Sequence, residues 1–234
     1  FVDLDVPVAG LPITVKRIYD SRDRGRKADF GFGWHMEVVR TGRYVKNRKP
    51  GDGWTVTAGG GFLHPPCTTV AEPKVHVTEI RFSETEFYRF KLNLNMSGFG
   101  SLIAGGCLGT VDFSQIGGVP GASLDILGSN SVTYLNGGDQ LTVDLGDESF
   151  GEVYEPTDVR LTTIDGREFD LNIQSGLTRI RNANGNTLTF SNTAITHSAG
   201  TGIQLTRDAQ GRITSLRAPY ASSRTYVYDL RGDH

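Results

Sequence analysis

One turn plan recurs through the last seventy or so residues and limits what the chain can fold into. Thr163-Ile164-Asp165-Gly166-Arg167, Asn182-Ala183-Asn184-Gly185-Asn186, Asp208-Ala209-Gln210-Gly211-Arg212 and Asp229-Leu230-Arg231-Gly232-Asp233 each set a glycine after polar residues, with the glycines 19, 26 and 21 residues apart. A tight hairpin turn needs positive φ values that glycine and asparagine reach cheaply, so hairpin turns are expected at Gly166, Gly185, Gly211 and Gly232. A spacing of about twenty residues holds two strands and two turns. Each unit then reads as one hairpin, which cannot bury its apolar face alone and must stack on its neighbours.

The arms beside these turns carry a two-residue period. In Thr187-Leu188-Thr189-Phe190, Ile203-Gln204-Leu205-Thr206, Arg212-Ile213-Thr214-Ser215-Leu216 and Thr225-Tyr226-Val227-Tyr228, apolar and polar residues mostly alternate, and β-branched or aromatic types dominate. That pattern fits half-buried antiparallel strands, and no helical stripe of useful length competes with it. Thirty glycines and nine prolines in 234 residues add many turns, so the expected class is all-β, built of short strands. Leu188, Phe190, Ile213, Leu216, Tyr226 and Tyr228 should fill the sheet faces.

The tail from Asp208 to Thr214, followed by Tyr226-Val227-Tyr228-Asp229-Leu230-Arg231-Gly232-Asp233, resembles the RHS/YD repeat, in which a Gly-Arg-Ile turn and strand precede a Tyr-x-Tyr-Asp-x-x-Gly segment. Gly10-Leu11-Pro12-Ile13, Arg17-Ile18-Tyr19-Asp20-Ser21 and Phe30-Gly31-Phe32-Gly33-Trp34 look like the segment that introduces such arrays in bacterial RHS-repeat proteins. Asp125 to Ser129 and Tyr154 to Phe169 are similar, more loosely, to the region joining the two; the likeness is weakest over residues 45 to 120. The resemblance implies hairpin repeats stacked into a curved, spiralling sheet, part of a hollow shell that in some members encloses a toxic C-terminal domain. Other members, the teneurins, are cell-surface adhesion receptors. On this basis residues 1–45 are expected to form an introducer or cap, 46–160 a β-rich elaboration and 161–234 the start of the array. Gly31 and Gly33 would admit close packing there, and Trp34 would plug the end of the sheet.

The implied role is structural: a scaffold segment of a large secreted or surface protein, whose main partner is the rest of the same polypeptide. The chain starts without Met at Phe1-Val2-Asp3-Leu4 and stops on a turn at Gly232-Asp233-His234, which also suggests a fragment whose open sheet edge invites self-association. Secretion would allow a disulfide between Cys67 and Cys107, worth roughly 4 kcal/mol for a loop of about 40 residues. Two buried thiols fit equally well, and a zinc set adding His64 and His76 matches no standard module, so no metal is expected.

Charge excludes some classes. The formal net charge of −2 argues against a generic nucleic-acid binder. Residues 16–49 carry eleven Lys or Arg against four acids, and residues 92–150 carry none against six, which reads most simply as two solvated faces. No apolar run is long enough for a membrane-spanning helix.

A search for catalytic chemistry finds no Gly-x-Ser-x-Gly elbow, no His-Glu-x-x-His helix and no phosphate loop, so neither an enzyme nor a cofactor is expected. Carboxylate pairs such as Glu84 with Glu86 or Asp144 with Glu148 leave a glycosidase as a remote second alternative. The first alternative is a carbohydrate-binding adhesin or lectin-like module. Trp54 and Tyr44 would stack on a surface glycan, with Arg40 and Arg43 bonding its hydroxyls. If the segment is a scaffold, truncating Tyr44 or Trp54 should leave stability nearly unchanged.

Overall fold

The computed structural model describes residues 1–37, 42–58, 67–100, 107–134, 141–143, 153–219, 223–225 and 227, of which 55–58, 67–71, 97–100, 107, 134 and 141–143 are described by their backbone. The fold is all-β. Strands account for 55% of the chain, the sheets are antiparallel and one curls into a half-barrel. Helical geometry among the described residues is limited to a 3-10 turn at Ser21–Asp23 and to Glu37. The chain divides into two compact units, one made of Phe1–Arg43 with Thr162–His234 and the other of Tyr44–Leu161.

The first unit opens with β1 (Val2–Val6), β2 (Ile13–Tyr19), β3 (Lys27–Ala28), β4 (Gly31–Phe32) and β5 (Trp34–Met36). β1, β2 and β5 form a three-stranded sheet in that order, and β3 pairs with β4. The second unit contains β6 (Arg43–Lys46), β7 (Thr55–Ala58), β8 (Cys67–Ala71), β9 (Val77–Arg81), β10 (Phe87–Gly100), β11 (Cys107–Gly118), β12 (Ser123–Ile126), β13 (Ser131–Tyr134), β14 (Leu141–Val143) and β15 (Asp158–Thr162). Its main sheet has the order β14-β13-β11-β10-β9-β6, with β7 paired to β8 and β12 to β15. The long β10–β11 ladder alternates strictly: Tyr88, Phe90 and Leu92 are buried while Arg89, Lys91 and Asn93 face outward, as a one-sided sheet requires. Trp54, Leu92, Val111, Val132 and Tyr154 form a core cluster of this unit.

The chain then returns to the first unit as a meander of β16 (Glu168–Asn172), β17 (Gly176–Arg181), β18 (Thr187–Phe190), β19 (Ala194–His197), β20 (Gly202–Arg207), β21 (Ile213–Arg217) and β22 (Ser223–Thr225), each paired with the next. One face of β18 to β21 and the N-terminal strands share a single core. Leu4, Val6, Ile13, Val15, Phe30 and Met36 pack with Leu188, Ile195, Ile203, Leu205, Ile213 and Leu216. Phe190 packs against this cluster while staying partly exposed, and Tyr226 and Tyr228 lie outside the described residues.

The turns share one hydrogen-bond scheme. Gly166, Gly185 and Gly211 have φ of 77°, 85° and 82°. Their N–H groups donate to the carbonyls of Thr163, Asn182 and Asp208 at 2.9 Å, and the N–H groups of those three residues donate in turn to the carbonyls of Arg167, Asn186 and Arg212. This is a three-residue hairpin loop in which glycine takes the left-handed position. Asn182 and Asp208 use their side-chain oxygens to accept the N–H groups two and four residues on. Gly232 lies outside the described residues.

The units between the turns are not uniform, contrary to the reading of one hairpin per copy. Two strands, β16 and β17, separate Gly166 from Gly185, but three, β18 to β20, separate Gly185 from Gly211. An odd number of strands puts the Gly211 turn at the opposite end of the sheet. Two turns intervene: Ser191 to Ala194 joins β18 to β19, with Ser191 N–H donating to Ala194 O, and His197-Ser198-Ala199-Gly200-Thr201 joins β19 to β20, where Gly200 has φ 82°, its N–H donates to His197 O, and His197 N–H donates to Thr201 O. His197 Nδ1 accepts the Ala199 N–H at 2.9 Å, doing the work of the Asn182 and Asp208 oxygens elsewhere.

Candidate functional site

The residues expected to cap the sheet sit at one end of the N-terminal strands. Gly31 and Gly33 have φ of 106° and 72°, and a Cβ on Gly33 would come within 2.8 Å of the Tyr19 ring and 3.1 Å of the Asp20 carbonyl. Both positions therefore exclude a side chain on conformational grounds, and Gly33 on steric grounds as well. Trp34 pairs across the sheet with Tyr19, their rings 5.2 Å apart. The Arg17 guanidinium lies 5.6 to 5.8 Å from the rings of Phe1, Phe30 and Trp34, and its Nε donates to the buried Asp3 carboxylate at 2.6 Å. Where the apolar core reaches the surface, a cation among aromatic faces closes it.

The proposed ligand set is not assembled. Trp54 is 1% and Tyr44 5% exposed, so neither ring offers a face for a sugar to stack on. Trp54 follows a Gly51–Gly53 turn that brings its N–H to Gly51 O at 3.1 Å and directs the indole inward, edge-on to His76. Tyr44 donates its hydroxyl to Pro156 O, and burial pushes that phenol well above its ordinary range. Arg43 is exposed, and Arg40 lies outside the described residues. Aromatics spaced closely in a basic segment looked like a platform; here packing claims them.

Two polar clusters in the second unit have perturbed protonation. Lys46, whose ammonium contacts Glu155 at 3.3 Å and Pro156 O at 3.4 Å, is lowered by burial, with Glu155 opposing the shift. His76 is 3% exposed and is also lowered by burial; its Nδ1 is 3.6 Å from Glu72, an ion-pair distance longer than a hydrogen bond. Burial alone would raise Glu72, but the Lys91 ammonium at 2.7 Å and the His76 N–H pull it below the usual carboxylate range. Among the described residues no serine, threonine or cysteine side chain is in hydrogen-bond contact with His76. Among the described residues no three metal-ligating side chains come together. The Cys67 and Cys107 side chains and His64 lie outside what is described; the backbone of Cys67 belongs to β8 and that of Cys107 to β11.

Sequence reasoning missed a depression on the outer face of β19, β20 and β21, lined by Ala194, Thr196, Gly202, Gln204, Arg217 and Pro219 among others. A small-residue pair, Ala194 and Gly202, at outward positions of two adjacent strands was the signal in the sequence.

No protein-family model matches this chain, and no curated protein matches it.

Proposed function

We propose that the chain is a structural scaffold segment of a larger secreted or surface polypeptide of RHS/YD-repeat type, in which the meander forms part of a wall and the N-terminal strands close it. One observation carries the reading: the N-terminal strands and β18 to β21 of the meander share a single apolar core, so the introducing segment is packed under the strands it precedes by more than a hundred residues. The recurring hairpin loops at Gly166, Gly185, Gly200 and Gly211 support it, since successive short strands joined by equivalent loops extend a sheet without a change of plan. Burial of Tyr44 and Trp54 removes the residues that favoured an adhesin. Electron microscopy of the complete gene product tests the proposal. The expected result is a hollow β-walled particle with residues 162–219 in its wall; a compact domain with no internal space would overturn it.

A further inference from the structure

We propose that the depression on the outer face of β19, β20 and β21 is a binding site for an acidic monosaccharide unit, with Arg217 holding the carboxylate. The proposal does not depend on the scaffold reading.

The register builds the site. Thr196 lies opposite Gly202, Ala194 opposite Gln204, and Gln204 in turn opposite Arg217, so three polar side chains converge around two positions with almost no side chain. Gly202 is fixed in that role because a Cβ there would lie 2.8 Å from the Ile195 carbonyl. The resulting space is about 530 Å³, within the range of small-ligand sites.

What sets these side chains apart is that they are uncommitted. The other arginines on the meander strands and the Gly211 turn are engaged: Arg179 with Glu168 and Asp170, Arg181 with Glu168, Arg207 with Asp29, Arg212 with Asp208, and Arg224 with the Asp3 backbone carbonyl. Among the described residues Arg217 has no acid within ion-pair distance, and neither Thr196 nor Gln204 has a side-chain hydrogen bond.

Chemistry then selects the ligand class. A guanidinium matches a carboxylate with two parallel N–H donors. The Gln204 amide and Thr196 hydroxyl each donate and accept, as a polyol requires. Ala194 and Pro219 supply apolar contact for the C–H face of a ring. A phosphate would leave that apolar wall unused and would meet only one cation.

NMR titration of the whole chain tests this with methyl β-glucuronide, methyl β-glucoside, acetate and inorganic phosphate as separate probes. The expected result is saturable shifts of amides in β19, β20 and residues 217–219 with the glucuronide, with the glucoside and acetate each binding at least about tenfold more weakly. Arg217→Gln, an exposed change that leaves the core untouched, should weaken glucuronide binding at least about tenfold while the spectrum elsewhere is unchanged. Equal binding of the glucoside, unaltered binding by the variant or no saturable shift would overturn the proposal. Phosphate or acetate moving the same amides as strongly as the glucuronide would overturn the sugar assignment, leaving a simple anion contact.

Discussion

Asp29 and Arg207, 178 residues apart in sequence, are joined by a 2.8 Å charge-assisted hydrogen bond within the first unit. Asp29 uses its other carboxylate oxygen to accept the Met36 N–H and its backbone carbonyl to accept the Ile213 N–H. One residue thus ties β5 and β21 to the loop before β4. Arg207 also donates to the carbonyls of Asn192 and Gly211, which fixes two turns at the same end of the meander.

Asp29→Ala should therefore cost about 1.5–3 kcal/mol, the range for hydrogen bonds to charged groups, because it leaves Arg207 without its anion. Asp29→Asn, which keeps an acceptor, should cost less. Denaturant unfolding checks the magnitude, and faster exchange of the Met36 and Ile213 amides checks the location. If Asp29→Ala unfolded like the parent with unchanged exchange at both amides, the N-terminal strands would not be clamped as described.

Glycine substitutions should separate conformational from steric cost. Gly211 has open space around it, so Gly211→Ala meets only the left-handed backbone penalty of about 1–2 kcal/mol. Gly33→Ala meets that penalty and also the Tyr19 ring and Asp20 carbonyl, so it should cost clearly more. Equal losses in a denaturant series would show that the Gly33 contacts relax freely.

What could be read in the sequence was what single residues dictate locally. Turn glycines at 166, 185 and 211, and alternation at Leu188, Ile203, Leu205 and Ile213, are each set by one backbone conformation or one face. The Gly200 turn escaped because alanine, not a polar residue, precedes its glycine, and with it went the count of strands between turns. Trp54 misled for a different reason: Gly53 and Thr55 mark a loop, but only the tertiary fold decides whether a ring leaving a loop turns outward or inward. The outer-face depression was invisible because it depends on register, which aligns Thr196 with Gly202 and Gln204 with Arg217.

Trp54→Ala should cost about 3–5 kcal/mol, the usual range for deleting a fully buried aromatic. Tyr44→Phe should cost only about 0.5–1.5 kcal/mol, since it removes one hydroxyl bond to Pro156 O and keeps the ring. Thermal unfolding of the two variants checks both. A near-neutral Trp54→Ala would mean the indole is not in the core.

The same indole leads to a pH dependence. His76 is edge-on to Trp54 at 4.4 Å between ring centroids, buried, with its protonated form disfavoured first by desolvation and further by Arg48, and favoured by Glu72. Its folded value thus lies below the ordinary value of about 6.5, so in acid the unfolded chain takes up this proton before the folded one does. Stability is fully retained above about pH 6.5 and falls as the pH drops below it, by at most about 1.4 kcal/mol per pH unit for this one group. His76→Phe keeps a ring beside Trp54 but cannot titrate. The midpoint of denaturant unfolding, measured from about pH 8 to about pH 5, should fall less steeply for His76→Phe than for the parent. Parallel curves would show that other groups carry the acid sensitivity and that His76 accepts its proton in place.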